Sequence, residues 1–241
     1  MYIIWQRYTD ILKVIYTNLN MDRKKILIFA SGTEHGGGSG FENLVNASRN
    51  GILNAEIVGV VSNHMHGGVH ERAQKLTIPF FHFAGPWTSV SYQKIASESK
   101  ADFFILSGWL KLVTGLDDAT AFNSRTIINI HPGPLPEFGG AGLYGTHVHR
   151  AVIEAYKSGA IANTALCMHF VTDSYDRGPV FFRYNIPIHA DDTAESLGLR
   201  VQQYEHEYQP KITDMVVRGL ITWDGVNHDS LRTSLQELFS L

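Results

Sequence analysis

A single cysteine in 241 residues leaves nothing for an internal disulfide, so a disulfide-built secreted scaffold is excluded. That residue, Cys167, lies in the apolar run Ala165-Leu166-Cys167-Met168 and reads as buried and inert. Long hydrophobic runs are missing as well. Ile26 to Ala30 and Phe103 to Leu106 are far shorter than the roughly 20 apolar residues that cross a bilayer. Charge of one sign is also lacking: 20 Lys and Arg against 23 Asp and Glu give a net charge of −3. With no basic block, duplex nucleic acid is an unsuitable main partner. Repeats, long linkers and low-complexity tracts do not occur. The chain is 44% hydrophobic and 18% charged, a balance that rules out disorder. Its length allows roughly 70% of the unfolded surface to be buried without staples. These features lead to the expectation of a soluble, cytoplasmic globular protein with neither a membrane nor a nucleic-acid partner.

Two regions are expected. In residues 1–22, Ile4, Tyr8, Ile11, Ile15 and Leu19 fall on one helical face, while Gln6, Arg7, Asp10 and Lys13 break the apolar centre a signal peptide needs. This stretch reads as a helical N-terminal extension. Residues 23–241 read as one domain, whose N-terminal half, to about residue 125, would bind phosphate. Its C-terminal half would carry catalysis and the second ligand.

Within that domain, strands and helices alternate. Ile26 to Ala30 is a continuous apolar run of the kind found in buried parallel strands. Further strands are expected over 55–61, 78–81, 102–106, 126–130, 165–171 and 180–188. Helices are expected over 41–49, 69–76, 89–99, 146–158 and 193–218, the last opened by Thr193 and closed at Arg218-Gly219. The alternation predicts an α/β fold with a doubly wound, mostly parallel sheet. Ligands of such sheets bind outside the carboxyl ends of the strands, so the turns after Ala30, Leu106 and Ile130 should meet at one cleft.

The first of these turns is rich in glycine, from Ser31 to Gly40. Glycines let backbone approach a ligand, and the helix start that follows offers free amide hydrogens to an anion. The second strand ends Val60-Val61-Ser62-Asn63-His64, without the carboxylate that a dinucleotide ribose needs. No Walker-type glycine-lysine-serine/threonine sequence is present. A single phosphate suits this loop better than a dinucleotide, although a plain strand-to-helix connection would look similar. A second constellation is more specific. Asn129 and His131 are two residues apart on one strand, so they share a face just before Pro132-Gly133-Pro134. Asp176 lies on a turn between two later strands. An amide can donate to an oxyanion, and an imidazole with a carboxylate can manage a proton, which is equipment for acyl or formyl transfer. His147 and His149 have too little around them to argue for a metal, and none is expected.

Asn129-Ile130-His131-Pro132, His169-Phe170-Val171-Thr172-Asp173 and Asp176-x-Gly178-Pro179 resemble the phosphoribosylglycinamide formyltransferase family over roughly Lys25 to Trp223. The resemblance implies a Rossmann-like formyltransferase fold. It also implies formyl transfer from 10-formyltetrahydrofolate to the amine of glycinamide ribonucleotide, a step of de novo purine synthesis. It implies that Asn129 steadies the oxyanion, His131 donates to it, and Asp176 keeps His131 charged and helps pass the amine proton to the leaving nitrogen. Gly38, Ser39 and Gly40 match the phosphate loop, and Glu205 matches an acid on the nucleotide. Leu110, Lys111, Leu112 and Val113, together with Asn129, match the folate pocket. The chain departs from the family at Gly40, where asparagine is common, and in longer loops over 33–37 and 137–145. Formyltetrahydrofolate deformylase is the nearest alternative, but about twenty residues before Lys25 cannot supply that family's regulatory domain. Methionyl-tRNA formyltransferase lacks support without a basic surface, and a non-catalytic nucleotide-binding module is the reading from another class. Oligomeric state is open, with a homodimer as one option.

Overall fold

The innermost strand shows how the sequence builds both sides of the sheet. In β1 (Lys24–Phe29), Ile26 and Ile28 belong to one core cluster, and Leu27 and Phe29 to another on the opposite face. All four are fully buried, as a strand covered on both sides requires. The computed structural model describes residues 23–233, so the helix expected over 1–22 lies outside the described residues.

Around β1 runs a seven-stranded sheet in the order β3-β2-β1-β4-β5-β6-β7. Its strands are β2 (Ala55–Ser62), β3 (Phe80–His82), β4 (Phe103–Leu106), β5 (Ile127–His131), β6 (Asn163–Phe170) and β7 (Val180–Pro187). The first five strands are parallel, β6 runs antiparallel to β5, and β7 runs antiparallel to β6. The helices are α1 (Ser39–Arg49), α2 (Gly68–Leu76), α3 (Ser89–Ser99), α4 (Thr146–Lys157) and α5 (Ala194–Val217). Residues of α1, α2, α4 and α5 pack into the larger core with Ile26 and Ile28. On the other face, Tyr92 and Ala96 of α3 join Trp109 and Phe122 against Leu27 and Phe29. Among the described residues, no helix is long and apolar enough to cross a membrane.

The expected elements are present, with boundaries moved by a residue or two. The most consequential shift is at β5, which includes His131 and so carries the imidazole within the sheet. Two short strands, β8 (Ile221–Thr222) and β9 (Arg232–Thr233), were not expected, because two residues cannot display a period. Cys167 is fully buried and free, and burial raises its thiol pKa.

Two features of α5 set the geometry of the cleft. Its start is fixed by a capping box, in which the Thr193 hydroxyl accepts from the Ser196 amide and the Ser196 hydroxyl accepts from the Thr193 amide. Its middle holds Pro210, which has no N–H to give the His206 carbonyl one turn earlier. That carbonyl instead accepts from Asn43 Nδ2 at 2.7 Å, tying α1 to α5. Asn43→Ala should therefore cost about 1 kcal/mol of unfolding free energy in urea titration. A loss indistinguishable from zero would show that the tie does not hold the helices together.

Candidate functional site

The crossover after β1 sends the chain one way along the sheet and the crossover to β4 sends it the other, and a crevice forms between them. A cavity of about 720 Å³ opens there, outside the carboxyl ends of β1, β4 and β5. Every residue expected to be catalytic, nucleotide-binding or folate-binding lines it. The glycine loop with Gly38, Ser39 and Gly40 forms one end, and Leu110 to Val113 form another wall. Asn129, His131 and Asp176 lie between, and Glu205 of α5 faces them. The cavity draws its lining from both sides of residue 125. Segment 110–113 comes from before that point, and α5 reaches back to the glycine loop.

Strand register explains how the polar cluster is assembled. The antiparallel pairing of β5 with β6 places Asn129 opposite His169 and His131 opposite Cys167. The connection from β6 to β7 then brings Asp176 over the same strands, with a φ of 53° in the left-handed region. A non-glycine residue there costs of order 1–3 kcal/mol, and such strain is typical of ligand sites. Asp176 Oδ2 accepts from the Gly140 amide at 2.9 Å. Asp176 Oδ1 lies 3.4 Å from His169 Nε2 and 3.7 Å from His131 Nδ1, the latter too long for a hydrogen bond. The side chains of His131, His169 and Asp176 are only 4%, 2% and 11% exposed.

His169 was quoted in a motif but given no role from the sequence. Its Nδ1 is 2.7 Å from the Phe170 carbonyl, which requires the proton on that nitrogen. In the neutral ring, Nε2 then accepts from Asn129 Nδ2 at 3.1 Å. Asn129 Nδ2 also approaches Asp176 Oδ1 at 3.4 Å. Both amide hydrogens of Asn129 are thus directed inward in the unliganded protein. The signal that could have found His169 is the register itself, which needs two strands to be paired before it can be read.

Burial pushes the His131 pKa down, and the Asp176 carboxylate and the Phe138 carbonyl offset this only in part. In the unliganded protein this balance favours the neutral ring. Its Nε2 donates to the Phe138 carbonyl at 2.8 Å. Burial alone would raise Asp176, but the neighbouring His169 and His131 imidazoles and the Gly140 amide together bring it below the usual carboxylate range. Glu205 has no such partners, and burial pushes it up to about 7.

At the loop end, Gly38 adopts a φ of 81°, and a Cβ there would lie 3.0 Å from Val69 Cγ2. Ser39 opens α1, and its hydroxyl is within 3.1 Å of Gln202 Nε2 and 3.3 Å of His206 Nε2, both from α5. The inserted residues close on themselves through a Thr33–Gly36 bridge. On the far wall, the Lys111 ammonium lies 4.4 Å over the Trp87 ring. His149 is buried, whereas His147 is exposed beside the Tyr144 ring. Among the described residues, no three His, Cys, Asp or Glu side chains gather as metal ligands would.

Buried His149, whose Nδ1 has no partner among the described residues, predicts an acid limb of stability. Burial, helped by His131, lowers its pKa to about 4. The unfolded chain binds this proton near pH 6.5 and the folded chain does not, so stability is lost as pH falls from 6.5 toward 4. His149→Gln should reduce the loss between pH 7 and 4.5 by on the order of 2 kcal/mol in denaturant titrations. An unchanged acid limb would remove His149 as its source.

Comparison with known proteins agrees with this geometry. The family model described as formyl transferase matches residues 24–213. A protein from Vigna unguiculata named phosphoribosylglycinamide formyltransferase, chloroplastic, is 34% identical over 223 residues, covering 88% of this chain and 67% of its own. Its namesake from Arabidopsis thaliana is 35% identical over 213 residues, with 85% and 70% covered. The crystal structure of glycinamide ribonucleotide transformylase 1 from Geobacillus kaustophilus superposes with a TM-score of 0.67 at 28% identity, over 81% of this chain and 99% of that one. A doubly wound sheet, an amide–imidazole–carboxylate cluster at its switch point, and relatives matched across most of their length lead to one conclusion: the chain belongs to the formyl transferase family, and within it groups with the phosphoribosylglycinamide formyltransferases.

Proposed function

We propose that this protein transfers the formyl group of 10-formyltetrahydrofolate to the amine of glycinamide ribonucleotide. The observation that carries this reading is the joining of two unlike sites in one cavity. One site is the Asn129–His131–Asp176 cluster, and the other is the anion-receptive loop at Gly38 to Gly40 facing Glu205. Transfer needs both a place to form a tetrahedral centre and a place to hold the amine-bearing partner. Hydrolysis needs only the first.

In this reading the folate lies against Leu110 to Val113, with its formyl carbon beside Asn129. The nucleotide phosphate meets the start of α1 and Ser39, where free amides favour an anion. Attack forms a bond from the amine nitrogen to the formyl carbon, and the carbonyl oxygen becomes an oxyanion. Asn129 is oriented by His169 at 3.1 Å, and exchanging its longer 3.4 Å contact with Asp176 frees one N–H for that oxyanion. His131 supplies a second donor when its Nε2–H leaves the Phe138 carbonyl. The ionised Asp176 favours the protonated form of His131 once charge develops beside it, and accepts the proton lost by the amine. That proton goes to the folate nitrogen as its bond to the formyl carbon breaks, so charge and protons balance.

Asn129→Ala should lower kcat by about 10²–10³, the cost of one oxyanion donor. Asp176→Asn should lower it by about 10²–10⁴, with ligand dissociation constants nearly unchanged. Turnover of Asp176→Asn close to the unsubstituted protein would remove that carboxylate from the mechanism. A second measurement separates transfer from hydrolysis. Formyl release should be slow without glycinamide ribonucleotide and rise strongly when it is added, and Glu205→Ala should raise the KM for the nucleotide. Formate released at full rate without nucleotide, and unaffected by Glu205→Ala, would instead make the protein a formyltetrahydrofolate deformylase.

A further inference from the structure

Gly40 of α1 has no side chain, and the space a Cβ would take in the cavity wall is filled by Ser107, the residue after β4. A Cβ built at Gly40 would fall 2.2 Å from Ser107 Oγ and 3.4 Å from Gln209 Oε1. Ser107 immediately follows β4, and its amide donates to the Phe29 carbonyl at 2.9 Å, so its backbone is fixed by the sheet. Its hydroxyl donates to Gln209 Oε1 at 3.2 Å. Gln209 is 1% exposed and sits on the part of α5 held to α1 through Asn43 and the His206 carbonyl. Gln209 Nε2 has no hydrogen-bond partner among the described residues. Ser107 is only partly buried and lines the cavity together with Ser39 and Gly40.

We propose that the Ser107 hydroxyl, held in position by Gln209, replaces the side chain missing at Gly40 and donates a hydrogen bond to the phosphate of the nucleotide substrate. A hydroxyl has one proton and two lone pairs, and a carboxamide can offer it either an acceptor or a donor. With Gln209 Nε2 turned toward Ser107, the amide donates to Oγ and the hydroxyl proton is free for an anion beside Ser39. This turn uses the amide nitrogen that has no partner in the unliganded protein. It also explains why Gly40 has no side chain: anything larger would displace the hydroxyl. Ser107 is a binding residue in this arrangement, and Gln209 is a positioning residue.

The inference rests on the nucleotide reading of the cavity, so its test includes a probe that does not depend on turnover. Ser107→Ala should raise the KM for glycinamide ribonucleotide about tenfold, with kcat within about twofold and folate affinity by calorimetry unchanged. The thermal shift produced by inorganic phosphate should shrink in the same variant, while its melting temperature without ligand stays near that of the parent. Gln209→Met, which keeps the shape without the hydrogen bond, should move the KM in the same direction and by no more than Ser107→Ala. Combining Ser107→Gly with Gly40→Asn should restore both nucleotide and phosphate binding. An unchanged KM and phosphate shift in Ser107→Ala would overturn the proposal, as would equal losses for folate and nucleotide. If the parent shows no nucleotide-dependent transfer yet Ser107→Ala still weakens phosphate binding, the functional reading fails and the Ser107 contact stands.

Discussion

The Asp176 carboxylate is the point through which the site's parts constrain one another. It is nearly buried, and it stays ionised because His169, His131 and the Gly140 amide surround it. A charge in such a place is costly unless its partners are well placed, so its presence specifies the geometry of everything it touches. The left-handed backbone at Asp176 brings the carboxylate over β5 and β6, whose register has already set Asn129 opposite His169. The loop ending at Gly140 is drawn in by the same carboxylate, which makes the segment after His131 part of the site. Even the low pKa of His131 belongs to this balance: burial keeps the ring neutral until a ligand brings developing charge beside it.

The other half of the cavity is organised by α5. Pro210 frees the His206 carbonyl, Asn43 of α1 takes it, and the two helices are held at the distance that lets Gln202 and His206 reach Ser39. The anion-receptive start of α1 is thereby coupled to Glu205, Gln209 and the end of β4. The glycine loop and the polar cluster lie far apart in sequence, and the strand order brings them to one crevice. The longer first loop folds back through the Thr33–Gly36 bridge, and Thr33 and Gly37 join the cavity wall.

Much of this was legible in the residues. The continuous apolar strands, the glycine loop and the pair Asn129 and His131 gave the fold class and the strand-end placement of the site, because these are local patterns with fixed periods. What was not legible depended on pairing between distant segments. The role of His169 comes from its register against Asn129, and the occupation of Gly40's place by Ser107 comes from two strands meeting across the switch point. The charge state of His131 follows from burial, which no spacing reveals. The strands β8 and β9 were too short to leave a pattern. The N-terminal helix expected from its spacing falls outside the described residues.

The central claim is that one cavity joins a formyl-releasing cluster to a nucleotide site, so the fate of the formyl carbon tests it most directly. A single-turnover reaction would use folate labelled at the formyl carbon, enzyme in excess and glycinamide ribonucleotide present, with products separated after quenching. The account predicts that nearly all of the released label appears on the nucleotide amine and almost none as formate. Label recovered mainly as formate, with nucleotide bound and unmodified, would contradict it.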